Sequence, residues 1–194
     1  MSLHVALVHY PIIDKNGRAV CTSVTNLDLH DISRAGTTYG ATGVWIVHPY
    51  EAQQRFIRRV MRHWTEGWGA GYNPSRRESL SATHLVSDLG EVSQRIEAAE
   101  GTRPLLIGTH AAPTDNQLTY RALRQRLIAE PHTPFCIVFG TGWGLHPEAM
   151  EAMDFMLEPI YGAGPWNHLS VRAAIGIILD RLAGRDHPLM DTDS

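Results

Sequence analysis

Pro134-Phe135-Cys136-Ile137-Val138-Phe139-Gly140-Thr141-Gly142-Trp143-Gly144 is the stretch from which the architecture can be read. Its first part is short, apolar and bounded by breakers, which predicts a buried strand over 134–139. The glycines at 140, 142 and 144 follow directly, so the main chain can turn sharply there and approach a ligand without Cβ clashes. Downstream, Pro147 suits the first turn of a helix, with Glu148 and Glu151 complementing its dipole. The run Glu158-Pro159-Ile160-Tyr161-Gly162-Ala163-Gly164-Pro165-Trp166 excludes regular structure. It returns the chain to a helix opened by Asn167-His168-Leu169-Ser170, in which Val171, Ala174, Ile175, Ile178, Leu179 and Leu182 share one face. Strand, glycine turn, short helix, bend and helix together describe a pocket made of backbone.

Working outward, the rest of the chain alternates strands and helices. Leu3 to Tyr10 reads as a first strand stopped by Pro11, and Asp14-Lys15-Asn16-Gly17 as turn chemistry. A helix is expected from near Asp28, as its N-cap, to Thr38, with Gly40 as the stop. Gly43 to Pro49 is a second strand. From Glu51 a helix carries Phe56, Ile57, Val60, Met61 and Trp64 on one side and Arg55, Arg58, Arg59 and Arg62 on the other. Gly67 to Pro74 reads as a loop, Leu85-Val86 as a short strand, Leu89 to Ala99 as helix, Arg103 to Thr109 as strand and Thr119 to Ala129 as helix. Such alternation favours a parallel sheet with helices on both faces.

Composition sets bounds. The 194 residues, 43% apolar, can bury one sizeable core, and no linker or repeat divides them, so one domain over 1–194 is expected. Cys21 and Cys136 lack metal-ligand spacing and read as buried reduced thiols. Without a membrane-length apolar run or a signal-peptide pattern, a soluble cytoplasmic protein is expected. A net charge of -3 argues against coating nucleic acid by charge alone, so any RNA contact must be local.

Phe139-Gly140-Thr141-Gly142-Trp143-Gly144-Leu145 and Asn167-His168-Leu169-Ser170-Val171-Arg172-Ala173-Ala174-Ile175 resemble the two C-terminal motifs of the SPOUT superfamily of RNA methyltransferases. Val24 to Gly40, with Asn26 preceding Arg34 on a helix that ends in Tyr39-Gly40, is similar to that superfamily's first motif. The match is nearest to small bacterial members made of the knotted domain alone. It implies an α/β parallel-sheet domain with a C-terminal trefoil knot, S-adenosylmethionine (SAM) as cofactor, a tRNA or rRNA nucleotide as acceptor, and a homodimer in which Arg34 of one chain can act in the other's pocket.

In open parallel sheets, ligands collect at the carboxyl ends of strands. The first expected cofactor residues are therefore Thr109, His110 and Ala111, then Gly140, Thr141, Gly142, Trp143 and Gly144, then the bend from Tyr161 to Trp166 with Gly162; the resemblance adds Ile160 and, from the last motif, Asn167, Leu169 and Ser170. Backbone N–H and C=O groups with apolar side chains can hold an adenosyl moiety. The glycine run lacks the offset third glycine and distal acid of a Rossmann fingerprint, and no Gly-Lys-Ser or Gly-Lys-Thr occurs. Arg34, Asn26 and Ser170 are the candidates for chemistry: methyl transfer is an in-line displacement that needs mainly alignment, and a permanent cation can anchor a phosphate or a developing oxyanion. Arg34 can equally form a surface pair, and Ser170 and Asn167 can cap the last helix. Asp28-x-His30-Asp31 lacks a second ligand cluster and is not read as a metal site.

Arg55, Arg58, Arg59, Arg62, Arg76 and Arg77 outnumber Glu51, Glu66 and Glu78, and Trp68 and Tyr72 lie among them. Arginine for phosphate plus rings for stacking is what single-stranded or looped RNA recognition requires. The alternatives are a solvated helix face, with Trp64 in the core or a dimer contact. At the level of the whole protein, the competing expectations are a non-catalytic SAM- or RNA-binding module and, disfavoured by the missing nucleophile elbow, a nucleotide-dependent hydrolase.

Overall fold

Strand β1 (Ser2–Val8) is buried along nearly its whole length, as befits the middle of a parallel sheet covered on both sides. The computed structural model describes residues 1–185. After β1 come the short ribbon strands β2 (Ile12–Ile13) and β3 (Ala19–Val20), α1 (Asn26–Thr38), β4 (Gly43–Val47), α2 (Glu51–Thr65), α3 (Trp68–Tyr72), α4 (Pro74–Ser81) and β5 (Thr83–Val86). The second half holds α5 (Leu89–Glu100), β6 (Leu105–Thr109), β7 (Gln117–Leu118), α6 (Tyr120–Ala129), β8 (Pro134–Gly140), α7 (Pro147–Glu151), β9 (Phe155–Leu157) and α8 (Val171–Ala183).

Seven strands form one sheet in the order β5-β4-β1-β8-β6-β9-β7, and each neighbouring pair is parallel. Alternate residues of β1 divide between two cores. Leu3, Val5 and Leu7 pack with Leu29 and Ile32 of α1, Ile57 of α2, Leu80 of α4, Leu123 and Leu127 of α6, and Ile175 and Leu179 of α8. Ala6 and Val8 pack with Val92 and Ile96 of α5 and Ala149 of α7. Helices therefore cover both faces, as expected. The register sets Val8 beside Val47 and Gly140, Gly108 beside Val138, and Thr109 beside Leu157, so the strand carboxyl ends share one edge.

Several expectations need correction. Helix α1 begins at Asn26, not near Asp28: Thr25 is the N-cap, and Asp28 sits three residues on, where its carboxylate accepts from the Thr25 N–H (2.8 Å) in a capping box. Residues 67–74 are not a loop. They contain α3, after which Asn73 caps α4 with Pro74 in its first turn; Asn-Pro is a helix-start signature here rather than a turn. On α2, Ile57 is buried whereas Phe56 is 40% exposed. Glu151 ends α7 rather than joining its first turn. Strands β1 and β4 stop at Val8 and Val47, short of the expected Tyr10 and Pro49. Cys136 is buried, while Cys21 is only partly so; both are free thiols.

Candidate active site

The turn after β8 is shaped by what the chain packs beneath it. The Trp143 N–H donates to the Ile13 carbonyl (3.1 Å) and the Ile13 N–H to the Gly144 carbonyl (3.0 Å), strapping the turn to β2. Gly142 and Gly144 take φ of 62° and 118°, a region L side chains rarely adopt, and a Cβ on Gly142 would stand 2.6 Å from Ile12 Cδ1. Gly140 has ordinary torsions but no room: a Cβ there would lie 2.6 Å from the Leu145 nitrogen and 2.8 Å from the Gly144 carbonyl carbon.

Thr141 fixes the turn from inside. Its hydroxyl donates to the Val8 carbonyl (3.1 Å) and so accepts from Thr22, 2.6 Å away. Thr22 has then used its proton, so His9 Nδ1, 2.9 Å from Thr22 Oγ1, is the protonated ring nitrogen. The other ring nitrogen of His9, Nε2, is buried and without a partner among the described residues, where a second proton would go unsatisfied. Burial pushes its pKa down to about 4, against a weaker opposing pull from Asp28.

Around this turn opens a cavity of about 590 Å³, within the usual range for a small-molecule site. Thr109, His110, Ala111 and Ala112 wall it after β6, and Phe139 through Gly144 after β8. Glu158, Ile160 and Pro165 close it beyond β9, and Asn167 through Val171 with Ala174 and Ile178 from the start of α8. Asn167 Nδ2 donates to the Ala111 carbonyl (2.6 Å), joining the third wall to the first. Tyr120, at the start of α6, forms the floor; its N–H donates to Glu158 Oε1 (2.6 Å), and burial raises its phenol to about 12. Trp143, Tyr161 and Trp166 are exposed large apolar side chains near the mouth, and the His168 ring contacts Trp143 and Trp166 at 6.5 and 4.8 Å.

Thus Thr109, His110, Ala111, Gly140 to Gly144, Ile160, Asn167, Leu169 and Ser170 lie together, whereas Tyr161 and Gly162 sit in the bend outside the lining. Ser170 also accepts from the Ala173 N–H (3.3 Å) as the cap of α8, so lining and capping coexist. Asn26 and Arg34 are exposed on α1 and do not line the cavity of their own chain. Arg34 has no hydrogen bond or ion pair among the described residues. The α1 helix is nevertheless tied to the cavity wall, since Arg172, next to Val171, reaches Asp31 (2.8 Å) and Asp28 (3.8 Å). His30 lies buried against the Trp64 ring at 5.3 Å. Sequence reasoning missed Tyr120, Glu158 and Ala174; only the α8 periodicity, which already placed Ala174 and Ile178 on one face, pointed toward any of them.

The lining has one carboxylate, Glu158, and no Lys or Arg. A phosphate-bearing ligand would find no counter-charge there. A sulfonium nucleoside meets main-chain polar groups at the glycine turn, apolar walls at Ile160, Leu169 and Ile178, and no repelling cation, so the residues fit SAM.

Comparison with known proteins agrees with this fit. A family model described as SAM-dependent RNA methyltransferase matches residues 2–184. An uncharacterized protein of Aquifex aeolicus is 45% identical over 185 residues, covering 95% of this chain and 90% of that one. A tRNA (guanine-N(1)-)-methyltransferase of Nitratidesulfovibrio vulgaris is 42% identical over 183 residues, which are 94% of this chain but 42% of that protein, so this chain spans well under half of it. Among solved structures, the SpoU methyltransferase AviRb of Streptomyces viridochromogenes in complex with AdoMet superposes with a TM-score of 0.57 at 16% identity, over 94% of this chain and 57% of that one. That likeness identifies the fold as SPOUT-type.

Proposed function

This chain belongs to the SAM-dependent RNA methyltransferase family, and from that premise we propose that it methylates a tRNA nucleotide as a cytoplasmic homodimer, with the cavity between β6, β8 and α8 as its SAM site. The observation that carries the assignment of the site is the cationless cavity walled by main chain at the shared carboxyl edge of the sheet. Choosing tRNA rests on the Nitratidesulfovibrio relative, which is named for methylation of tRNA. Its N1-guanine specificity is not carried over, because more than half of that protein lies outside the match.

Bound SAM supplies an electrophilic methyl group for in-line transfer to a nucleophilic nitrogen or oxygen. The chain's own residues then have alignment as their main task. The glycine turn presents N–H and C=O groups at fixed positions, held from below by Thr141, Thr22 and His9. Asn167 holds two walls together. Arg34 and Asn26, exposed and outside the lining of their own cavity, serve the partner protomer's cavity: Arg34 neutralises an acceptor phosphate or developing negative charge, and Asn26 orients the acceptor by hydrogen bonds. Leu27, 55% exposed on α1, and Leu169, 47% exposed beside α8, supply apolar surface for such a dimer. The proposal includes the trefoil knot, supported by the return of residues 158–170 to the loop after β6.

Calorimetry with SAM and transfer of tritiated methyl groups into purified tRNA and rRNA test this reading. Expected are micromolar SAM binding, label in tRNA, and Arg34→Ala losing about 10²-fold or more in transfer while keeping SAM affinity. Absence of SAM binding at millimolar ligand refutes the site; binding without transfer to either RNA pool leaves a module that binds SAM and does no chemistry.

A further inference from the structure

The outer side of α2 carries Arg55, Arg58, Arg59 and Arg62 as a row, and at its far end α3 presents two exposed rings. Trp68 and Tyr72 are 72% and 70% exposed, yet their rings stack on each other at 4.7 Å between centroids and 19° between planes. The local sequence enforces this. Trp-Gly-Ala-Gly-Tyr puts the two rings four residues apart on one turn, while Gly69 and Ala70 are buried between them. A Cβ on Gly69 would meet Trp64 Cε3 at 2.7 Å and a Cβ on Gly67 the His63 carbonyl at 2.8 Å. Helix α3 is thus seated against the end of α2, with its two large side chains turned to solvent.

The cations beside them are only partly compensated. Arg55 pairs with Glu51 (2.7 Å), both exposed, and Arg58 donates to Gln54 (2.8 Å). Arg76 places its guanidinium 4.5 Å over the Trp64 ring, which is packed against the core. The guanidinium groups of Arg59, Arg62 and Arg77 show no hydrogen bond or ion pair among the described residues. On a chain of net charge -3 this is a segregated basic face. It also has a direction. Helix α2 starts where β4 ends, at the edge that holds the cavity, and runs about 20 Å from it; β4 is separated from β8 only by β1, a lateral distance of about 10 Å.

We infer that this α2–α3 face is a docking surface for single-stranded or looped RNA, gripping a part of the substrate that does not react. It rests on the family's substrate being RNA and adds where the rest of that molecule lies. Phosphates follow the arginine row, and an unpaired base stacks on the exposed face of the Trp68–Tyr72 pair. Duplex RNA offers no free base to the rings, because its bases are already stacked.

Fluorescence anisotropy with a labelled 12-nucleotide oligouridylate and a labelled 12-base-pair RNA duplex, measured from 50 to 250 mM KCl on the full chain, tests this. The wild type should prefer the single strand. Trp68→Ala with Tyr72→Ala should weaken it by about tenfold or more at unchanged salt dependence, and the Trp68→Phe, Tyr72→Phe pair should restore most of it. Arg59→Gln with Arg62→Gln should weaken it and flatten the log–log salt slope by about 1.4. SAM affinity, measured calorimetrically, should be unchanged in every variant, which separates this surface from the cavity. Failure of the wild type to bind the oligonucleotide, equal binding by all variants, or a preference for the duplex overturns the inference. A change in sedimenting mass in the Trp68→Ala, Tyr72→Ala variant overturns it in favour of a contact between copies of the chain. Failure of the wild type to bind SAM while it binds the single strand would refute the cavity assignment and leave this surface standing.

Discussion

Substituting alanine for Gly140 adds one methyl group at the tightest backbone approach in the site. The new Cβ would sit 2.6 Å from the Leu145 nitrogen and 2.8 Å from the Gly144 carbonyl carbon, where ordinary contact lies at about 3.5–4.0 Å. Both obstacles are main chain, so no rotamer change relieves them, and the turn must open by about 1 Å. Overpacking of this kind costs about 1–3 kcal/mol, which for a chain of this size is about 2–4 °C in Tm per kcal/mol. The opening also acts on function. It disturbs the Thr141 hydroxyl between Val8 and Thr22 and shifts the Trp143 N–H and the Gly144 carbonyl held by Ile13. Losing one or two such bonds, at about 1 kcal/mol each, weakens SAM binding by about tenfold or somewhat more. Calorimetric Kd and thermal unfolding should therefore both worsen. Gly71→Ala, where nothing lies within 4 Å of the added atom, is the matched control and should leave SAM affinity alone. A Gly140→Ala protein with wild-type Tm and wild-type SAM affinity would show that this approach does not shape the cofactor site.

Acid should destabilise the fold in a defined window. His9 is held at about 4 against 6.5 for the free side chain, and burial also lowers His4, His48 and His84. Below pH 6.5 the unfolded chain takes up a proton that native His9 refuses, so its contribution is complete above 6.5 and is lost progressively toward 4, by up to about 1.4 kcal/mol per pH unit. Urea unfolding at pH 7.5, 6 and 5 should show this fall, and His9→Asn, which keeps a donor toward Thr22, should reduce it; identical curves at all three values would refute it. For the dimer, Leu27→Arg should move the sedimenting mass from twice 21.6 kDa to 21.6 kDa and abolish methyl transfer, because Arg34 would then lack a partner's cavity. A wild type that already sediments at 21.6 kDa would remove that premise.

Much of the fold was legible because its central strands announce themselves. In β1, β4 and β8 both faces are covered, so the apolar run is continuous and needs no partner to be recognised. The cavity was legible for a related reason: glycine and proline mark the places where the main chain leaves the sheet edge. What stayed hidden depends on distant neighbours. Strands β7 and β9 have two and three residues, too few for a period, and exist because Met156 pairs with Gly108 and Gln117 with Met156. His9, Thr22 and Thr141 are 13 and 119 residues apart, and no spacing rule joins them. Helices α3 and α4 are a different kind of miss. Their signals, a cap-then-proline pair at Asn73-Pro74 and the small pair Gly69-Ala70 that α3 buries, use the same residue types as loop chemistry.

A division of labour between main chain and side chain follows. A site walled by glycine turns and small apolar residues asks little of side-chain identity beyond leaving space. The α2–α3 face is the opposite case, since its arginines and its ring pair act only through their side chains and could be replaced without disturbing the sheet. Substitution in the cavity should accordingly change whether SAM binds, whatever RNA is offered. Substitution on α2 and α3 should change which RNA is held, with SAM binding intact. A single-residue change on α2 that altered both together would mean that the two surfaces are energetically coupled, against the separation their placement on different strands of the sheet implies.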